Sequence, residues 1–101
     1  MKVWFVMESE TYKDDAKRKK YYEYLDTWRP IWKKKHEGVK HNDLGGWSDR
    51  PGNVMYVVEY ESMEEFSKVW SDEEFQKGLL ILRNNLKSFN MRVMRPTVVV
   101  R

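Results

Sequence analysis

Two histidines, His36 and His41, are the side chains of this sequence with an ordinary pKa near neutral pH. His36 follows an aromatic stripe at helical spacing, so the pattern predicts that it faces a neighbouring layer, where it could act as a catalytic base. The alternative is a histidine placed at a helix end, where the negative end of the helix dipole favours it. No carboxylate joins the two histidines at HExxH-like spacing, so the sequence predicts no metal site.

Other familiar chemical motifs are missing from the sequence. It contains no cysteine, which excludes disulfides, thiolate metal ligands and cysteine nucleophiles. A GxGxxG fingerprint, a P-loop and a GxSxG nucleophile turn are also absent. We therefore predict no nucleophilic triad and no tightly bound cofactor.

Six aromatic residues could line a slot for a flat or sugar-like ligand. They are Tyr21, Tyr24, Trp28, Trp32, Trp47 and Trp70. Aromatic walls with a few polar tips are typical of small-molecule pockets. The alternative is an ordinary core, although five tryptophans in 101 residues exceed what packing requires. Arg29, beside this cluster, could hold a ligand carboxylate or lie on the surface.

The composition is that of one folded domain spanning residues 1–101. It is 41% hydrophobic and 15% aromatic, which separates it from disordered chains. No apolar run approaches the roughly 20 residues that span a bilayer, and the N-terminus lacks the pattern of a signal peptide. We expect a soluble, cytoplasmic protein. Abundant lysine, glutamate and tyrosine, with a single glutamine, are typical of a heat-adapted source.

Charge is segregated along the chain although the net charge is only +3. Residues 13–40 hold ten basic and five acidic residues, whereas residues 59–74 hold seven acidic residues and one lysine. From Arg83 onward there are five basic residues and no acidic one. Such segregation could steer a partner or a second copy of the chain, or it could mark solvated helix faces.

The first half of the sequence predicts a strand, a long helix and an irregular strand. Residues 2–8 alternate in a strand that is apolar on both faces. A helix capped by Thr11 or Ser9 should run to about Glu37 and end at Gly38. It should kink or break near residues 27–29, because Pro30 lacks an N–H group. Residues 40–48 predict an edge strand with a bulge, since two glycines weaken it.

The second half predicts a strand, two helices and a final strand. Residues 53–61 alternate most regularly. Ser62 with Glu65, and Ser71 with Glu74, form capping boxes that open two helices. The second of these should run to about Lys87, and residues 89–100 form the last strand.

This order predicts an α+β, ferredoxin-like βαββαβ fold, a four-stranded antiparallel sheet with helices on one face. The other face would then be bare. Because strands 2–8 and 53–61 are apolar on alternate sides, a bare face would expose a large apolar patch. We therefore expect a homodimer that packs sheet against sheet.

Several segments resemble the dimeric α/β-barrel superfamily, in its antibiotic-biosynthesis-monooxygenase-like and NIPSNAP-like members. The resemblance covers nearly the whole chain and rests on residues 57–62, 64–66, 70–72, 75–76 and 92–96. It implies a barrel between two subunits and a pocket in each. Known activities of the superfamily include cofactor-free oxidation of polycyclic aromatics, haem degradation, isomerisation and sugar mutarotation. The asparagine, tryptophan and haem-binding histidine set of the haem-degrading members has no evident counterpart here.

Residues 24–32 are similar to the first-helix motif of L-rhamnose mutarotases. Tyr24, Pro30, Ile31 and Trp32 match, but Trp28 stands where those enzymes carry a histidine. Mutarotation requires groups that move protons at the anomeric centre, and an indole does not.

The resemblance and the residues together predict a protein that binds or transforms a small organic molecule. Alternatives are a non-catalytic ligand-binding or structural dimer, a mutarotase-like isomerase and an RNA-binding module. RNA-recognition motifs share this order of elements, but residues 53–60 lack the glycine and both stacking aromatics of their third strand. The basic runs at residues 17–20 and 33–35 are the features that favour nucleic acid.

Overall fold

We describe residues 1–95 of a computed structural model of the chain. Its elements are β1 (Val3–Glu10), α1 (Asp15–Lys35), β2 (His41–Arg50), β3 (Asn53–Tyr60), α2 (Met63–Trp70), α3 (Glu73–Asn84) and β4 (Ser88–Met94). The four strands form one antiparallel sheet in the order β2-β3-β1-β4, with the helices on one face. The predicted ferredoxin-like fold is confirmed. The predicted last strand beyond residue 95 lies outside the described residues.

The long first helix has different ends from those predicted. Asp14, rather than Thr11 or Ser9, caps α1, because its carboxylate accepts the N–H of Lys17 at 2.9 Å. The helix continues through Pro30 without the predicted break and ends at Lys35, two residues before the predicted end. Gly38 then adopts a φ of 74°, as the C-terminal glycine signal predicts.

The caps of the two helices α2 and α3 differ in part from those predicted. Ser62 caps α2 as predicted, accepting the N–H of Glu65. The carboxylate of Glu65 does not return to Ser62 but accepts the N–H of Lys40 at 3.0 Å, which links α2 to the start of β2. Asp72, rather than Ser71, caps α3. The Ser71 N–H closes the last turn of α2 instead, and α3 ends at Asn84, before the predicted residue 87.

Strand β2 is the irregular edge strand that its glycines predict. Among the described strands it pairs only with β3, and the register shifts between Asp43 and Gly45 and again between Trp47 and Arg50. Such a shift turns the following side chains to the other face of the sheet. As a result Trp47 is paired with Met55, on the face away from the helices.

The core lies between the sheet and the helices. Its sheet layer includes Val3 and Phe5 of β1 and Val58 and Tyr60 of β3, which are all nearly inaccessible to solvent. The helices contribute Trp28, Val69, Trp70, Phe75, Leu79 and Leu82. None of the helices in residues 1–95 is long and apolar enough to cross a membrane.

The opposite side of the sheet, which we call the open face, carries Trp4, Val6, Met55, Val57 and Trp47 together with charged residues. Val6 and Val57 face each other at its centre and are buried by their neighbours. Trp4 and Trp47 are half-exposed. The open face is thus partly apolar, as predicted.

Candidate functional site

A cavity of about 400 Å³ lies between α1, α3 and the sheet. Helix α1 forms one wall with Tyr21, Tyr22, Leu25, Trp28, Arg29 and Trp32. These residues share one side of the helix because they recur at spacings of three and four. The sheet forms the other wall, to which it contributes Met7 and Tyr56 among others.

The cavity has a buried floor and an exposed mouth. Trp28, Leu79 and Leu82 line it and are almost completely buried, so they form the floor. Tyr22, with 49% of its surface exposed, and Val54, with 42%, also line it and therefore mark the mouth. A ligand would enter beside these two residues and meet an apolar interior.

The floor depends on a close contact between α1 and α3. A Cβ atom at Gly78 of α3 would lie 2.6 Å from the indole ring of Trp28, so this position has no room for a side chain. The hydroxyl of Tyr24 donates to the Gly78 carbonyl at 2.9 Å and fixes the same contact. A glycine inside an amphipathic helix was the sequence signal for this contact, and sequence reasoning missed it.

Tyr21 and Tyr56 line the cavity, and the pKa of each is raised above the ordinary value of a phenol. Burial raises the pKa of Tyr21, and the nearby Tyr22 raises it further, while the charge of Arg29 opposes the rise. Burial also raises the pKa of Tyr56, with a further contribution from Asp43. Both phenols therefore stay protonated at neutral pH and can act as hydrogen-bond donors, although Tyr56 also has Asp43 as a partner.

His36 lies behind the cavity wall rather than in it. Its ring stacks on Trp32 with centroids 4.1 Å apart, and only 4% of the residue is exposed. Its Nδ1 atom is 2.7 Å from the Trp32 carbonyl, and its Nε2 atom is 2.7 Å from the Tyr60 hydroxyl. Since a carbonyl can only accept, Nδ1 carries the proton and a neutral Nε2 accepts from Tyr60.

Tyr60 extends this arrangement to a second tryptophan. The Trp70 indole N–H donates to the Tyr60 oxygen at 2.9 Å. The chain of donors therefore runs from Trp70 to Tyr60, to His36 and to the carbonyl of Trp32. We call these four residues the buried relay. It gives partners to the Trp70 indole N–H, the Tyr60 hydroxyl and both ring nitrogens of His36. Burial lowers the pKa of His36 below its ordinary value of 6.5.

The structure separates the residues that the sequence suggested for the site. Tyr21, Trp28 and Trp32 line the cavity. Tyr24 bonds α3 outside the cavity lining, and His36 and Trp70 belong to the buried relay. Trp47 lies on the open face of the sheet.

Sequence reasoning did not single out Tyr56 and Ser9, which also line the cavity. The alternation of side chains along β1 and β3 could have identified them. Ser9, Met7 and Tyr56 lie on the same face of the sheet as the core residue Phe5. Within residues 1–95, no cluster of three or more histidine and carboxylate groups is placed to hold a metal ion.

Comparison with solved structures places this arrangement among known folds. A conserved protein from Methanosarcina mazei matches with a TM-score of 0.70 at 12% identity, over 96% of this chain and 94% of that chain. SnoaB, a cofactor-independent oxygenase from Streptomyces nogalater, matches with a TM-score of 0.61 at 13% identity, over 98% of this chain and 96% of that chain. A NIPSNAP family protein from Agrobacterium tumefaciens matches with a TM-score of 0.60 at 19% identity, over 95% of this chain and 86% of that chain.

At these identities the likeness is one of fold, and it confirms the expected monooxygenase-like and NIPSNAP-like architecture. No protein-family model matches the chain, and no curated protein matches its sequence.

Proposed function

We propose that this protein binds a flat, largely apolar organic molecule in the cavity between α1 and the sheet. The observation that carries the proposal is an apolar cavity of about 400 Å³ whose lining includes the protonated tyrosines Tyr21 and Tyr56. Ligand sites are typically about 300–1,000 Å³ with mainly apolar walls and a few placed polar groups. Trp28 and Trp32 offer ring surfaces, and Tyr21 and Tyr56 offer donors to an oxygen of the ligand.

Binding of 2-naphthol, followed by quenching of tryptophan fluorescence, tests this proposal. The variant Leu25→Trp fills the cavity and should abolish binding. Leu80→Trp is the matched control, since Leu80 is 56% exposed on α3 and lies outside the cavity lining. Equal binding by both variants would place the ligand elsewhere and overturn the proposal.

Oxidation of the bound molecule by O₂ without a tightly bound cofactor is the second candidate function. It is favoured by the likeness of fold to the cofactor-independent oxygenase SnoaB. No carboxylate or imidazole is among the described residues that line the cavity, so the substrate itself must lose a proton readily. The two tyrosine hydroxyls would stabilise the resulting oxyanion.

Anthrone tests the oxygenase candidate because it ionises readily and forms an oxyanion. Its CH₂ group becomes a carbonyl, one O₂ is consumed and one water is released, which balances the reaction. Catalysed O₂ uptake that Tyr56→Phe reduces and Leu80→Trp leaves unchanged would support oxidation. Tight binding of anthrone without O₂ uptake would show that the protein binds such a molecule but does not oxidise it.

The role of His36 in this function follows from its position. With both ring nitrogens bonded and Trp32 between its ring and the cavity, we assign it to holding the wall rather than to touching the ligand. His36→Ala should then weaken binding and stability together. A loss of O₂ uptake with unchanged ligand affinity would instead identify His36 as a catalytic base.

We also propose that two copies associate through the open face. Trp4 and Trp47 are half-exposed there around the buried pair Val6 and Val57. Burying such a patch against its copy would remove apolar surface from water. Native mass spectrometry should show a dimer that Trp47→Asp dissociates and the control Leu80→Asp does not. A monomer at micromolar concentration would contradict the proposal.

A further inference from the structure

The charge that lines the cavity has one sign. Among the described residues of the lining, Arg29 is the single one that is charged at neutral pH. The other polar groups there are hydroxyls, indole N–H groups or backbone. An anionic group on a ligand would therefore meet one cation and no carboxylate within the lining.

Arg29 is placed at the mouth rather than at the floor. Its side chain is 66% exposed, whereas the floor residues Trp28 and Leu79 are almost completely buried. A charge bound at the floor would lose its water, and that loss costs far more than at an exposed position. The arrangement thus suits a molecule with an apolar end and a charged end.

We propose that the ligand is an aromatic carboxylate, whose ring lies on the cavity floor and whose carboxylate is bound by Arg29 at the mouth. This inference rests on the proposed binding function and adds the chemical class of the ligand. The planar guanidinium of arginine matches a carboxylate with two parallel N–H donors. Tyr21 lines the same wall of the cavity as Arg29, and its hydroxyl is a further donor for a polar group of the ligand.

Asp26 competes with the ligand for Arg29. The Arg29 Nη1 atom lies 2.9 Å from Oδ1 of Asp26, one turn earlier on α1, and both side chains are largely exposed. Exposed pairs of this kind are weak, so a carboxylate can replace or share this contact. Removal of the Asp26 charge should therefore strengthen binding of an anionic ligand.

A pair of probes of nearly the same shape, one anionic and one neutral, tests the proposal. The chain should bind 2-naphthoate more tightly than neutral 2-naphthamide at low salt. Arg29→Gln should weaken the binding of 2-naphthoate roughly tenfold, as expected for a lost charge-assisted hydrogen bond. The same change should leave the binding of 2-naphthamide unchanged. Asp26→Asn should strengthen the binding of 2-naphthoate about twofold to threefold, which is the size of effect expected for the loss of an exposed ion pair.

Three results would overturn the inference, and they are distinguishable. If both probes bind equally and Arg29→Gln affects neither, the carboxylate assignment is wrong, while the cavity function stands provided that Leu25→Trp blocks both. If neither probe binds and 2-naphthol also fails to bind, the proposed function itself falls. A charge preference that survives Arg29→Gln would also contradict the assignment.

Discussion

The Nε2 atom of His36 lies 2.7 Å from the hydroxyl of Tyr60, inside the layer between α1 and the sheet. The two residues come from the end of α1 and the end of β3, and Trp70 of α2 completes the contact. One phenol oxygen thus joins three elements. Through Trp32 the same relay supports a wall of the cavity.

Replacement of Tyr60 by phenylalanine should destabilise the fold. The change leaves the Trp70 N–H and the His36 Nε2 atom without a partner, and each unsatisfied buried group costs about 1–3 kcal/mol. We expect a loss of about 2–4 kcal/mol in the free energy of unfolding, measured by urea denaturation. Tyr22→Phe is the control, because Tyr22 is 49% exposed. Equal stability of the two variants would show that the relay contributes nothing.

Stability should fall as the pH drops below 6.5. Burial lowers the pKa of His36 from its ordinary 6.5, the Trp32 carbonyl and Asp43 oppose this shift, and His41 adds to it. Between the lowered native pKa and 6.5 the unfolded chain binds more protons, so acid favours unfolding. The stability that neutral His36 allows is complete above pH 6.5, and it is lost as the pH falls from 6.5 through the lowered pKa of His36 in the folded protein. Tyr60 and Tyr56 face the same region and remain neutral there.

Thermal denaturation between pH 7.5 and 5 measures this dependence. His36→Gln should flatten it, whereas His41→Gln should preserve most of it, because burial of His36, rather than the charge of His41, is the largest cause of the lowered pKa of His36. A wild-type melting temperature that is constant over this range would contradict the prediction.

Gly78→Ala should destabilise the protein although alanine is the better helix former. The propensity gain is about 1 kcal/mol, but the new Cβ would lie 2.6 Å from a carbon of Trp28. Overpacking of a core costs about 1–3 kcal/mol. We expect a net loss of stability and weaker binding of 2-naphthol, because Trp28 forms the floor of the cavity.

The clash predicts a coupling between the two positions. The nearest atoms belong to the six-membered ring of the indole, so Trp28→Phe should be less harmful in the Gly78→Ala background than alone. A double-mutant cycle measures this coupling. Additive effects would show that Trp28 moves away freely.

Asp72 has two roles that separate by substitution. Its carboxylate caps α3 through the Phe75 N–H and also pairs with Lys35 of α1 at 3.1 Å. The bond from Phe75 and then the bond from Lys35 lower its pKa. Asp72→Asn keeps a cap and loses the ion pair, whereas Asp72→Ala loses both. The melting temperature should therefore fall more for alanine, and equal values would show that the cap is unimportant.

The sequence alone determined the order of elements, the fold and part of the cavity. Tyr21, Trp28 and Trp32 recur at helical spacing, and such a period fixes which side of α1 they share. The alternation of residues 53–60 likewise fixed the two faces of β3. These features are local, because each depends on the geometry of a single element.

Tertiary structure decided which of these faces meet and what lies between them. The register shift after Asp43 turned Trp47 away from the cavity, and the packing of α2 carried Trp70 to Tyr60. His36 became part of a buried relay because β3 supplied a hydroxyl at its free nitrogen. No period along the chain encodes such contacts, since they join residues that are distant in sequence and adjacent only after the elements pack.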